Sequence, residues 1–218
     1  MKPYFEKDGI TIYHGDCREI LPHVRADVMV TDPPYDIVAK GGGIGAQRDY
    51  LIDMVGFTDC GFDYAILSGF DRWMVFCALK QIPELAAAAR KRWSLITWNK
   101  PDPTPLVNGN YLPDTEYIIH SFRSGSDLFG KYDDRRRWIL HPSGTRKSGH
   151  PNEKPIAVIN RLLRVGTCDQ DTVVDPFCGS GTTVLCARDM GRKAIGIEIE
   201  ERWCEVAAKR LAQGVLFT

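Results

Sequence analysis

Two short stretches of this chain place chemically capable residues at close spacing. The first is Asp32-Pro33-Pro34-Tyr35, directly after the apolar run at residues 27–31. Two successive prolines cannot continue a sheet, and they fix an extended turn whose carbonyls and flanking side chains project beyond the strand. In open α/β sheets ligands bind at the carboxyl ends of the strands. Such a turn suits work on the exocyclic amine of a nucleobase, whose lone pair is delocalised into the ring and is a poor nucleophile. The Asp32 carboxylate and the Pro33 carbonyl would accept the two amine hydrogens, favour a more tetrahedral nitrogen and aim its lone pair at an electrophile. Tyr35 offers a face on which an extruded base stacks. A strand-ending Pro-Pro turn beside a core tyrosine has the same spacing, and these four residues alone leave that structural reading open.

The second stretch, Asp175-Pro176-Phe177-Cys178-Gly179-Ser180-Gly181-Thr182-Thr183, follows another apolar run and precedes a helical pattern. Gly179 and Gly181 let the backbone approach a ligand closely, and the amino end of the helix presents unpaired N–H groups to a carboxylate or phosphate. It is not the dinucleotide fingerprint, because valine stands at the sixth position of Gly179-Ser-Gly181-Thr-Thr-Val184, and it lacks the Gly-Lys-Ser/Thr of a P-loop. Glu198 follows 23 residues after Asp175, at the end of the next apolar run. From there an acidic side chain accepts hydrogen bonds from ribose hydroxyls. The pattern suggests a nucleoside cofactor, while a structural turn with a surface glutamate remains the alternative.

The elements that must hold these stretches alternate in kind. Short apolar, β-branched runs predict strands at 10–14, 27–31, 73–77, 93–98, 116–122, 172–175 and 194–198, interleaved with helical patterns, as in βαβ units. The expected fold is α/β: one doubly wound, mostly parallel seven-stranded sheet, Rossmann-like, forming a single domain over residues 1–218. Three helices are plain near the carboxyl terminus. One starts at Pro155 with a stripe of Ile156, Ile159, Leu162 and Leu163 and stops near Gly166; another runs from about Gly181 to Gly191. The third carries Trp203, Val206, Ala207, Arg210 and Leu211 before Gly214. Two stretches break the alternation: the glycine-rich 40–47, and the polar 124–149.

Composition narrows the classes. With 218 residues, 44% of them hydrophobic, there is a core to bury, and general disorder is excluded. Lys and Arg number 28 against 28 Asp and Glu, so the chain is not basic throughout and any nucleic-acid contact must be local. The seven cysteines are scattered without a CxxC spacing and the five histidines are dispersed, which argues against a disulfide framework or a zinc site. The start, Met1-Lys2-Pro3-Tyr4, does not read as a signal peptide, and no run of 18 apolar residues occurs. The expectation is a cytoplasmic protein with no membrane partner.

Taken together, the Asp32–Tyr35 and Asp175–Thr183 motifs resemble those of the amino-methylating DNA methyltransferases that use S-adenosylmethionine. Their order, catalytic motif first, is similar to that of the permuted β group, which includes adenine-N6 and cytosine-N4 enzymes. Gly15-Asp16-Cys17 resembles the segment whose acid meets the cofactor's adenine. His150-Pro151-Asn152-Glu153-Lys154-Pro155 resembles the motif before the helix flanking the methionine end, and Trp98-Asn99-Lys100 and Glu116-Tyr117-Ile118 match strand-end patterns of the group.

The resemblance implies that Asp32, Pro33, Pro34 and Tyr35 hold and activate the target amine. It places Asp16, Asp175, Pro176, Phe177, Gly179, Ser180, Gly181, Thr182 and Glu198 around S-adenosylmethionine, with Lys154 either near the cofactor's carboxylate or a phosphate, or solvated at the start of the helix. It implies a direct in-line methyl transfer without a metal, double-stranded DNA as substrate, and a bacterial or phage source; it permits a homodimer and a cognate restriction endonuclease. Cys178, in the cofactor loop, reads as packing rather than as a nucleophile.

In the β group the target-recognition region is inserted where 124–149 lies here. That segment holds Lys131, Arg135, Arg136, Arg137, Arg146 and Lys147 against Asp127, Asp133 and Asp134, six basic residues to three acidic. With Arg48 these are the expected DNA contacts, although a run such as Arg135–Arg137 also suits a solvated face. At 26 residues the insert is shorter than those of many relatives, and a short target or help from a second subunit is expected. Aspartate at the head of the catalytic motif favours adenine-N6 over cytosine-N4. RNA or protein-glutamine methylation is the next reading, against which the motif order counts. A non-catalytic DNA-binding module and a nucleotide-dependent oxidoreductase are the readings from other classes.

Overall fold

The computed structural model describes residues 1–34, 62–89, 92–103, 111–124, 127–144 and 147–213. Tyr35, Arg48 and Arg146, and the glycine-rich 40–47, lie outside the described residues.

In chain order the elements are β1 (Phe5–Lys7), β2 (Ile10–His14), α1 (Cys17–Ile20), β3 (Val28–Thr31), β4 (Trp73–Cys77), α2 (Ile82–Ala88), β5 (Arg92–Asn99) and β6 (Thr115–Phe122). They continue with β7 (Trp138–Leu140), α3 (Ile156–Gly166), β8 (Thr172–Asp175), α4 (Thr182–Asp189), β9 (Lys193–Glu198) and α5 (Glu201–Ala212). All seven expected strands are present within two residues. Among the described residues the sheet nevertheless has nine strands, in the order β1-β2-β9-β8-β3-β4-β6-β5-β7, which corrects the expected seven; most of its pairings are parallel, as expected, with antiparallel ones at β1-β2, β4-β6 and β6-β5.

The two additional strands are the sheet's edges. β1 pairs antiparallel with β2 through Asp8 and Gly9, both at positive φ, 51° and 79°, as a two-residue hairpin turn requires. β7 pairs parallel with β5 and places a strand inside the polar 124–149 segment.

The centre of the sheet, β2-β9-β8-β3-β4, is parallel throughout. β3 and β4 are buried at every position, which is why they read as continuous apolar runs rather than as alternating ones. Successive residues feed opposite faces. Val28, Val30, Met74, Phe76 and Val173 pack with Val158, Ile159, Leu162 and Leu163 of α3, Val184 and Ala187 of α4, and Cys204, Ala207 and Leu211 of α5. Met29, Trp73, Val75, Cys77 and Val174 face the other way, toward Phe62, Leu67 and Leu85. Two cores, one on each face, are the doubly wound arrangement.

β6 runs antiparallel to both β4 and β5. Its first residues therefore stand at the same edge as the last residues of β2, β9, β8, β3 and β5. That edge gathers Asp16, Glu198, Asp175, Asp32, Glu116 and Lys100, drawn from six separate parts of the chain.

Candidate active site at the carboxyl edge of the sheet

β3 ends at Thr31, and the Asp32-Pro33-Pro34 turn leaves the sheet with Pro33 buried. The Asp32 carboxylate pairs with the Lys154 ammonium through Oδ2. Lys154 reaches it from the segment before α3, and its Nζ also lies 3.3 Å from Glu116 Oε2 and 5.2 Å from the centre of the Phe76 ring. Glu116 Oε1 meets Lys100 Nζ at 2.6 Å. Burial works against the charged form of Lys154, yet Asp32 and Glu116 outweigh it and hold the ammonium above its ordinary range. Burial likewise pushes the Glu116 carboxyl up, and Lys154 and Lys100 together bring it below the usual carboxylate value. The sequence left Lys154 open between a cofactor contact and a solvated helix start, and noted Lys100 and Glu116 only as strand-end residues. Their joining in one alternating chain of charge is visible only in three dimensions.

One strand away, β8 ends at Asp175. Its Oδ1 accepts the Thr31 hydroxyl at 2.7 Å and the Phe177 N–H at 3.1 Å, so the two strand ends are tied directly. Burial raises the Asp175 carboxyl to about 6, against the lowering effect of hydrogen bonds from Thr31, Thr183 and Phe177. The turn beyond is built on glycine. Gly179 has φ 52°, and a Cβ there would lie 3.1 Å from His150 Nε2. Gly181 has φ 82° and is the N-cap of α4, where a Cβ would come within 2.8 Å of Ala207 Cβ. Its N-cap, Gly181, has no side chain with which to cap α4, and the amino end of a helix offers backbone N–H groups to a ligand.

Glu198, at the end of β9, accepts the Gly179 N–H at 2.7 Å through Oε2 and the Glu200 N–H at 2.9 Å through Oε1. Burial raises its carboxyl above the ordinary value. Each oxygen retains a further acceptor position. Asp16 sits beside it because the Gly15 N–H bonds the Glu198 carbonyl at 2.9 Å. The Asp16 carboxylate caps α1 through the Arg18 N–H at 2.8 Å and also takes the Arg18 side chain, which lowers its carboxyl.

Arg210 was legible only as one position of a helical stripe. Its Nη1 donates to the Ser180 carbonyl at 2.7 Å and to Thr182 Oγ1 at 3.2 Å, and its Nη2 pairs with Glu153 at 2.9 Å. Glu153 in turn accepts the Ser148 N–H and hydroxyl. This guanidinium therefore fastens the glycine turn to the 150–155 segment; an arginine on an otherwise apolar stripe was the available signal. Cys178 is buried, its thiol pushed well up by burial, and its Sγ would lie 2.5 Å from a Cβ at Gly196. It packs against β9.

The expected DNA contacts are less united. Lys131, Arg135, Arg136, Arg137 and Lys147 are exposed. Arg136 pairs with Asp133 at 2.9 Å and lies 5.7 Å from the Trp138 ring centre, while Arg135 Nε donates to the Phe129 carbonyl. Arg161 holds the Asp133 and Arg136 carbonyls, and the Phe129 N–H reaches the Val165 carbonyl. Residues 129–136 thus lie along the carboxyl-terminal half of α3, below the candidate site, and only through β7 does the segment rise toward it. A concavity of about 660 Å³ lined by Leu21, Arg25, Ile66 and Phe70 reaches the amino ends of β3 and β8 and contains none of the site carboxylates.

An acidic proline turn and a glycine turn on neighbouring strand ends, with an acid closing the next strand, define an α/β protein of the methyltransferase fold. The chain matches the DNA methylase family N6_N4_Mtase over residues 26–209 and belongs to that family. It is 27% identical over 260 residues to the type II methyltransferase M2.LlaDCHI of Lactococcus lactis subsp. cremoris, covering 99% of this chain and 94% of the relative. It is 26% identical to M2.DpnII of Streptococcus pneumoniae, covering 96% and 92%. The crystal structure of an M1.HpyAVI–SAM complex superposes with a TM-score of 0.65 at 26% identity, covering 93% of this chain and 99% of that one. The cytosine-N4-specific PvuII DNA methyltransferase, TM-score 0.69 at 18% identity, shares the fold.

Proposed function

We propose that this protein transfers a methyl group from S-adenosylmethionine to the N6 amine of an adenine turned out of double-stranded DNA. The observation that carries the reading is the Thr31–Asp175 hydrogen bond, which sets the Asp32 turn and the glycine turn side by side on adjacent strands. The site residues fit the cofactor: α4 begins on a glycine N-cap, the left-handed glycines admit close approach, and Glu198 keeps acceptor positions directed at this edge. S-adenosylmethionine, when bound, supplies an electrophilic sulfonium methyl group.

Glu198 would accept the ribose hydroxyls and Asp16 would meet the adenine, while Asp175, Pro176, Phe177, Gly179, Ser180, Gly181 and Thr182 would surround the rest of the cofactor. Asp32 and the Pro33 carbonyl accept the hydrogens of the target amine, Pro34 fixes the turn and Tyr35 stacks on the base. Most of the rate enhancement comes from positioning and exclusion of water. Phosphate contacts come from Arg146, Lys147 and Arg48, while Lys131, Arg135, Arg136 and Arg137, set below the site along α3 and at the start of β7, reach only phosphates flanking the turned-out base; a short insert suits a short target. The type II names of the relatives support a cognate restriction endonuclease, with a homodimer as a further arrangement of the same reading. Incubation with unmethylated genomic DNA and S-adenosylmethionine, followed by nucleoside digestion, is expected to yield N6-methyladenine. N4-methylcytosine as the sole product would overturn the adenine assignment, and label in RNA or protein with none in DNA would overturn the substrate class.

A further inference from the structure

The chain Asp32–Lys154–Glu116–Lys100 alternates in charge and balances to zero, and it is set into the core side of the edge rather than into solvent. The Lys154 and Lys100 side chains are 11% and 15% exposed, and those of Asp32 and Glu116 21% and 20%. Burying four charges is costly, and such a network stabilises a fold no better than apolar packing does. Its geometry suggests what it is kept for. β3, which carries Asp32, lies between β8, where the glycine turn begins, and β4 and β6, where Glu116 stands. With strands about 4.8 Å apart, Glu116 is roughly 10 Å from the Asp32 strand on the side away from Glu198 and the turn. Lys154 is drawn to that far side, between two carboxylates, with Phe76 against its ammonium.

We propose, building on the function above, that Lys154 is a positioning residue for Asp32 rather than a ligand of the cofactor, and that Glu116 and Lys100 hold it there. The ammonium contacts Oδ2 of Asp32 and fixes the rotation of the carboxylate that is to meet the amine hydrogens. A cation in contact with a carboxylate also favours its ionised form, the only form that can accept at both oxygens without donating. Glu116 keeps Lys154 from swinging toward the glycine turn, where a cofactor carboxylate would compete for it.

The test uses the full chain without cofactor. Aspartate side-chain carboxyl carbons are titrated by NMR, the Asp32 resonance being identified by its loss in Asp32→Asn. In Lys154→Met the Asp32 midpoint is expected to rise by at least about one pH unit, the shift that loss of a contacting opposite charge produces, and in Lys154→Arg to stay near the wild-type value. Where Lys154→Met does not fold, Lys154→Gln removes the charge and keeps a hydrogen bond, with the same expectation. In methyl-transfer assays the acid limb of kcat moves in the same direction. Glu116→Gln lowers kcat with cofactor affinity unchanged, and lowers it no further when added to Lys154→Met.

An Asp32 midpoint unmoved by removal of the Lys154 charge overturns the proposal. So does a Lys154→Met variant whose chief defect, by calorimetry, is a more than tenfold loss of cofactor affinity. A wild-type protein with the expected carboxyl titration but no methyl transfer to DNA would overturn the proposed function and leave the positioning role intact.

Discussion

Replacing Asp175 with asparagine removes a charge that the fold buries. The side chain is 3% exposed, and both Thr31 and Phe177 donate to the same oxygen, Oδ1. Asparagine can present its carbonyl oxygen to both donors and its amide nitrogen to the Thr183 hydroxyl, which contacts the same group. What changes is the titration. Burial raises the Asp175 carboxyl from 3.8 to about 6, so the folded chain takes up this proton more readily than the unfolded one. The associated stability is therefore fully present below about pH 4 and is lost as pH rises through 6. A difference of roughly two pH units at 1.36 kcal/mol each amounts to about 3 kcal/mol. Urea unfolding of wild type and Asp175→Asn at pH 4 and pH 7.5 checks this, because titrations common to both proteins cancel in the difference. The variant should gain about 3 kcal/mol relative to wild type between the two pH values. A stability difference that stays constant within about 1 kcal/mol would refute the claim that Asp175 is buried as a strained charge.

The same edge gives three further expectations. Asp32→Ala should retain cofactor binding and lose methyl transfer, and near-normal turnover would remove the proline turn from the chemistry. Glu198→Ala should weaken cofactor binding and also strip the Gly179 and Glu200 N–H groups of their acceptor; unchanged affinity by calorimetry would count against the ribose role. Arg210→Ala leaves the Glu153 carboxylate, 8% exposed, without its cation and loosens the glycine turn. A loss of about 2–3 kcal/mol, read as a fall of roughly 5–10 °C in Tm, is expected, and an unchanged Tm would show that the turn stands without this clamp.

What was legible in the sequence was local. Asp32-Pro33-Pro34 and Asp175 through Thr182 are read from residues adjacent in the chain, although distant groups, Glu198 and Arg210 among them, complete the hydrogen bonds of the glycine turn. β3 and β4 were visible as continuous apolar runs because they are buried on both faces. The first edge strand had a signal that went unused, the Asp8-Gly9 turn. β7 had almost none: of its three residues only Ile139 is buried, and its partner β5 lies about 40 residues earlier. Strand direction was equally hidden, since an apolar run reads the same either way, and it is the reversal of β6 that brings Glu116 to the site. The Lys154–Asp32 pair spans 122 positions and Arg210–Ser180 spans 30; neither has a periodic trace.

The position of β8 also bears on how the protein comes into being. It lies between β9 and β3, so the strand that carries the proline turn waits for a neighbour made some 140 residues later. During synthesis β3 and β4 emerge with one flank of the pair open, and an unpaired apolar strand edge is prone to association with other chains. Insertion of β8 closes that flank and, by the Thr31–Asp175 bond, joins the two turns in the same event. A nascent chain stopped short of residue 175 would hold neither half of the site in place, so capacity to modify DNA arises only once the closing strand has been made.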